Sequence, residues 1–199
     1  MSDMRADPSR VRFLAALGRS RLLAPAELDR LARGHPRASG REVADALVAA
    51  GALTHYQADK LVRGVWQGLA LGPYRILAPL GRGGMGTVVY LARDTRRAGL
   101  PADADLVALK LLPHRKAEAD PKAFVRFRRE MTLGKRVEHP RVARTLESGE
   151  VDAVHFPAAH FDRWFWTADR WRWATRPASA PTSRPGSTTS IRAGWFTAT

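Results

Sequence analysis

Residues 81–94, "GRGGMGTVVYLARD", place glycines in a Gly-x-Gly-x-x-Gly spacing directly before a β-branched run. In a dinucleotide-binding turn that spacing opens a helix, whose N-terminus holds the pyrophosphate. Here Gly81, Gly83 and Gly86 are followed by Thr87, Val88, Val89 and Tyr90, a poor helix start and a good strand. The preceding "YRILAPL" (74–80) also reads as a strand. The loop therefore joins two strands, as a flap. Glycine suits such a flap because backbone amides can approach phosphates closely and no side chain intrudes. Taken alone the pattern is weak, since many turns share it.

Two further segments give it weight. "LVALKLL" (106–112) predicts a third strand carrying Lys110. "PKAFVRFRREMTLGKRV" (121–137) predicts an amphipathic helix with Phe124, Phe127 and Met131 on its inner side and Leu133 as a weaker candidate. The same helix carries Glu130, twenty residues after Lys110 and pointing inward. A cation that holds phosphates needs an anion to orient it, and a Lys–Glu pair does that. The apolar setting of "VALKLL" argues against a merely solvated lysine. Glu130 by itself, among Arg126, Arg128 and Arg129, would read as part of a charged helix face. Only the order of the motifs lifts it above that. "HPRVARTLESGEV" then turns back into strand.

"LGRGGMG", "VALK", "FRRE" and "HPRV", in this order and spacing, resemble the N-terminal lobe of a protein kinase, specifically the bacterial eukaryotic-type (Hanks-type) serine/threonine kinases. The resemblance implies an α+β fold over residues 71–156, an antiparallel sheet with one helix packed on it. It implies ATP as ligand, with Mg2+ in the intact family, and protein substrates. Leu80, Gly81, Arg82, Gly83, Gly84, Met85, Gly86, Thr87 and Val88 would form the flap over ATP. Ala108 would roof the adenine, Lys110 would hold the α- and β-phosphates, and Glu130 would pair with Lys110. The family usually runs Gly-x-Val-Tyr after the loop, whereas this chain has one residue more, leaving open whether Val88 or Val89 caps the adenine. The catalytic base and metal ligands of the family sit in "HRD" and "DFG" motifs of a second lobe, and neither motif occurs here. No metal ligand is therefore expected in this chain, and inactivity alone is. The family's small lobe has five strands, the last expected just after Phe156, so the sheet is expected to keep an unpaired edge.

Residues 1–70 predict a small all-α module. Pro8 and Pro25 suit first helical turns. Thr54 and Gln57 fit a capping box, each side chain satisfying the other's orphan backbone donor. Leu28, Leu31 and Ala32 form one apolar face, and Ala58, Leu61 and Val62 another at the same spacing. "LAPAELDRLARG" (23–34) lies over "LTHYQADKLVRG" (53–64) at an offset of 30, with Leu17 and Leu47 also corresponding. Two similar helical hairpins packed on each other follow. Nothing chemical marks them, so a structural or docking module for a protein partner is the expectation. Gly72 and Pro73 end the region.

The net charge of +14 would suit nucleic acid, but the basic residues, 28 Arg against 5 Lys, are scattered rather than clustered. Such a bias equally follows from GC-rich codons, and no nucleic-acid role is expected. The chain has no cysteine, which excludes disulfides and thiolate metal sites. No apolar run approaches the roughly 20 residues of a membrane span, and "MSDMRADPSR" lacks a signal-peptide core. The expected location is cytoplasmic.

After Phe156 the composition breaks. No leucine follows Leu146, no lysine follows Lys135, and Trp164, Trp166, Trp171, Trp173 and Trp195 crowd the end. Residues 157–199 show no helical or strand period and are expected to be disordered. Interleaved Trp and Arg would suit an Arg/Trp-rich nucleic-acid binder, and the small lobe with the helical repeat would suit a pseudokinase-like regulator. The favoured expectation is an out-of-frame tail. Read one base early, the codons of residues 188–199 can spell D-D-L-H-P-R-G-L-V-H-R-D, with valine forced where Phe196 follows Trp195. That string resembles the approach to a kinase catalytic loop.

Overall fold

The computed structural model describes residues 7–34, 37–83, 86–98, 104–139, 145–151 and 154–160. They divide after Ala78 into two units. Strands β1 (Ala70–Leu71), β2 (Tyr74–Arg82), β3 (Val88–Asp94), β4 (Leu106–Pro113), β5 (Thr145–Val151) and β6 (Val154–His160) form one sheet in the order β1-β2-β3-β4-β6-β5.

The first unit holds helices α1 (Pro8–Ser20), α2 (Pro25–Gly34), α3 (Gly40–Ala49) and α4 (His55–Val62). The starts of α1, α3 and α4 follow from caps. Asp7 accepts from the Ser9 amide at 2.6 Å ahead of Pro8. Ser39 with Glu42, and Thr54 with Gln57, form reciprocal capping boxes. Phe13 and Leu17 of α1, Val43, Ala44 and Leu47 of α3, and Ala58 and Leu61 of α4 build one apolar core with Leu69. Burying a side chain the size of Phe13, Leu17 or Leu61, each with no exposed surface, contributes about 1.5–3 kcal/mol. Helices α1 and α3 meet closely at Gly40, where a Cβ would stand 2.5 Å from the Ser9 carbonyl oxygen.

The two similar segments differ in depth. Leu28 and Leu31 are only partly buried, whereas Ala58 and Leu61 are buried. The second segment also does more at its cap. The Thr54 hydroxyl donates to the Leu77 carbonyl at 2.6 Å, and the Gln57 side-chain amide donates to Ile76 at 2.8 Å. These are backbone acceptors of β2, beside the buried Tyr74 and Ile76. The corresponding first-segment residues, Ala24 and Glu27, bond locally: the Ala24 amide donates to the Glu27 carboxylate at 3.1 Å, and the Glu27 amide donates to the Ala24 carbonyl at 3.0 Å.

In the second unit, β3 pairs antiparallel with β4, β4 with β6, and β6 with β5. Helices α5 (His114–Ala119) and α6 (Pro121–Gly134) follow β4, and Leu112, Ala117 and Phe127 form their core, flanked by Phe124 and Met131. Leu133, the weaker candidate for that inner side, is 43% exposed. Asp94, buried at the end of β3, accepts from the Arg96 amide and guanidinium at 3.0 and 2.9 Å. The guanidinium holds its carboxyl below the usual carboxylate range. Arg96 also bonds Glu147 of β5 at 2.6 Å.

The last strand, expected just after Phe156, instead includes it, and the sheet's edge beyond β4 is β5. β6 runs through Phe156 to His160 and lies between β4 and β5. Its sequence, Val-His-Phe-Pro-Ala-Ala-His, hides it, because proline cannot donate to a ladder and alanine has little strand preference. The structure accommodates Pro157 at a gap. The β4–β6 register pairs Leu109 with Ala158 and Leu112 with His155; by the same register Pro157 falls opposite Lys110, in the gap between the two paired runs. Ala158 is fully buried, and small side chains there let neighbouring elements approach.

Candidate functional site

Lys110 and Glu130 come together. Lys110 lies in β4, and Glu130 lies on the last turns of α6. The Lys110 ammonium donates to Glu130 Oε2 at 2.5 Å, with the two side chains 12% and 18% exposed. The fold produces this from spacing. Asp120 caps α6 by accepting from the Ala123 amide at 2.9 Å, and Pro121 begins the helix. Phe127, fully buried against Leu112, fixes the rotation of α6. Glu130 lies one turn beyond Phe127, on the same side of the helix. The Phe127 ring itself stands 5.8 Å from the Lys110 ammonium, a cation–π contact.

A charged pair this enclosed depends on both members. Removing one leaves the other poorly solvated. Glu130→Gln keeps the volume and removes the charge, so it should lower stability by about 1–3 kcal/mol. The midpoint of chemical denaturation checks this, and an unchanged midpoint would mean that water already solvates the ammonium.

The register then orders the surrounding side chains. Val89 pairs with Lys110, and Leu91 pairs with Ala108. Side chains alternate between sheet faces along a strand. Val89, Leu91, Ala108 and Lys110 therefore share one face by register, while Val88, opposite Leu111, falls on the other. Ala108 is buried, next to Leu91 on one side and Ala159 on the other.

Leu80, Gly81 and Arg82 are the end of β2, and Gly83 and Gly86 stand on either side of Gly84 and Met85, which lie outside the described residues. The Gly83 amide donates to the Thr87 carbonyl at 3.0 Å. The three glycines of the motif serve different needs. A Cβ on Gly83 would collide with the buried Thr87 hydroxyl at 2.5 Å and stand 3.7 Å from Lys110 Cε. Gly86 has φ +69°, in the left-handed region, and a Cβ there would lie 2.6 Å from the Lys116 ammonium. Lys116 donates to the Gly86 carbonyl at 3.3 Å. Gly81 has open space where a Cβ would go.

The arrangement presents one oriented ammonium close to Gly83, next to a small apolar strand face. That is a place for a phosphate beside a flat apolar group. Among the described residues, the cluster of potential metal ligands is not here; it joins His114, Glu150 and His155. Sequence reasoning missed that cluster. The "HPRV" segment falls mostly outside the described residues, as do residues 161–199 with all the tail's tryptophans. No helix among the described residues is long and apolar enough to cross a membrane.

No protein-family profile matches the chain. Curated relatives do. The serine/threonine-protein kinase PknE of Mycobacterium bovis is 38% identical over 86 residues, which are 43% of this chain and 14% of the relative. PknE of Mycobacterium tuberculosis matches to the same extent. The serine/threonine-protein kinase pkn2 of Myxococcus xanthus is 40% identical over 79 residues, 40% of this chain and 9% of the relative. The chain thus spans about one seventh or less of these relatives' length. Among solved structures, the kinase domain of Mycobacterium tuberculosis PknI is similar over 47% of this chain and 35% of that one, at 29% identity and a TM-score of 0.35.

Proposed function

We propose, on the premise that this chain carries part of a bacterial serine/threonine protein kinase of the eukaryotic type, that its second unit is the ATP-binding lobe. The carrying observation is the Lys110–Glu130 pair, made between β4 and α6 across twenty residues of sequence. In this reading Glu130 orients the Lys110 ammonium toward the α- and β-phosphates. Residues 81–86 cover the phosphates with backbone amides, and the open space at Gly81 suits a ligand's approach. Ala108 lies against the adenine, with Val89 across from Lys110 as its neighbour on that face. Thr87 and Val88 support the flap from its far end. Mg2+ would neutralise phosphate charge in the intact family. Glu130 is engaged by Lys110, and no other residue of this site fits a metal, so no step is assigned to it here.

The chain alone would bind and orient one half of the reacting pair and would lack the groups that move the proton and hold the metals. Residues 1–70 are proposed as a docking module for a protein partner. The tail is proposed to be a shifted reading frame of the kinase gene, on the composition break and the hidden "LVHRD" string.

Calorimetric titration of the full chain with ATP tests the binding site. Weak binding that Lys110→Ala abolishes is expected. Equal binding by the two proteins would remove Lys110 from any phosphate role.

A further inference from the structure

His114, Glu150 and His155 come from the start of α5, from β5 and from β6, and their donor atoms lie within 4.8 Å of one another. Folding collects them. Glu150 and His155 are directly opposed in the β5–β6 register, so their side chains leave the same face of the hairpin. His155 Nδ1 stands 3.5 Å from Glu150 Oε2. His155 is also registered with Leu112 of β4, and the chain reaches His114 two residues later. The two imidazole rings are 5.9 Å apart between centroids, tilted by 47°. The Phe124 ring, 4.7 Å from the His155 ring, forms an apolar wall.

Ion pairing alone accounts poorly for this cluster. Exposed pairs of this kind contribute little, and two imidazoles this close to each other would repel if both were protonated. As neutral imidazoles with one carboxylate they form a set of nitrogen and oxygen donors matched to a borderline cation. Tetrahedral Zn2+ with bonds of about 2.0–2.1 Å sets its ligand atoms roughly 3.3 Å apart. The His155–Glu150 spacing is already near that value. The rest of the closure falls to His114 and Glu150, whose side chains are 48% and 52% exposed and free to change rotamer. Glu118, one turn along α5, places Oε1 3.2 Å from His114 Nε2. A carboxylate in that position orients a ligating imidazole and raises its basicity.

We propose that His114, Glu150 and His155 form a three-ligand site for a divalent transition cation of the Zn2+ type, with Glu118 positioning His114. Imidazole nitrogen disfavours Mg2+ and Ca2+, which take oxygen ligands. An ion there would tie α5 to the β5–β6 hairpin. None of the four residues belongs to the Lys110–Glu130 pair, so this inference stands apart from the nucleotide reading.

The test is titration of the tag-free full chain with Co2+ alone, followed by visible absorption, and then displacement by Zn2+. Saturation at one ion per chain is expected, with a band intensity typical of low coordination. Glu118→Gln should weaken binding roughly tenfold, and His114→Ala or Glu150→Gln by more. These three side chains are exposed, so the variants keep the fold, which circular dichroism verifies. His55→Ala, elsewhere on α4, should change nothing. No saturable Co2+ spectrum, or affinity unaltered in His114→Ala, would overturn the proposal.

Discussion

A polypeptide of these 199 residues, supplied with Mg-ATP, should transfer no phosphate to itself or to generic protein substrates. Phosphoryl transfer gains its rate from positioning and from charge neutralisation, through metal ions, a residue that orients the nucleophile, and the Lys–Glu pair acting together. This chain has the pair. It has no His-Arg-Asp and no Asp-Phe-Gly sequence to supply the remainder. In the proposed reading Lys110 orients a nucleotide's phosphates, but nothing in that reading lines up an attacking hydroxyl or accepts its proton. A radiolabelled-phosphate assay checks this, with Lys110→Ala alongside. Transfer that disappears in Lys110→Ala would show that the 199 residues suffice for catalysis.

The gene itself should carry the second result, and the effect is all-or-none. If the tail is a slipped frame, the codons for residues 187–198 must end in particular bases. Phe196 must be TTC, so that the early frame reads histidine rather than tyrosine. Thr197 must end in C and Ala198 in G, giving CGC and GAC, arginine and aspartate. Gly194 must end in C or T, either of which gives leucine before the forced valine. Reading on in that frame should reveal the lysine and asparagine of a catalytic loop and then Asp-Phe-Gly. A gene with the two frames joined near residues 156–160 should encode an active kinase, and Lys110→Ala should reduce that activity by orders of magnitude. Stop codons in the early frame, or a translation unlike "LVHRD", would make the tail native protein and remove the ground for a second lobe.

What the sequence made legible was chemistry carried by short, ordered motifs. Lys110 and Glu130 could be paired on paper because the motifs follow one another in a fixed order and spacing; the charged helix face around Glu130 would not have singled it out. Thr54 and Gln57 announced a helix start through a local capping pattern. Their second task, holding the carbonyls of Ile76 and Leu77, could not be read, because it depends on where a strand about twenty residues later comes to lie. β6 was misplaced because Pro157, Ala158 and Ala159 speak against a strand locally, while pairing on both sides overrides them. The choice between Val88 and Val89 needed the register, since a one-residue step exchanges the two faces of a strand. The histidine cluster was invisible for the plainest reason. Its members are separated by 36 and 5 positions in the chain (150 − 114 and 155 − 150), and only the hairpin brings them together.

The glycine loop keeps two separate records. Gly83 and Gly86 are demanded by the polypeptide itself, one by the crowding hydroxyl of Thr87 and the other by a left-handed backbone. Gly81 is not, since a methyl group there would meet no atom of the described residues within 4 Å. On the proposed nucleotide reading, a descendant of this gene that gave up that ligand would be free to lose Gly81 first, while Gly86 would persist for as long as the turn did. Position 81 is thus where a lineage would register the end of ligand selection, and position 86 where it would register the end of the fold.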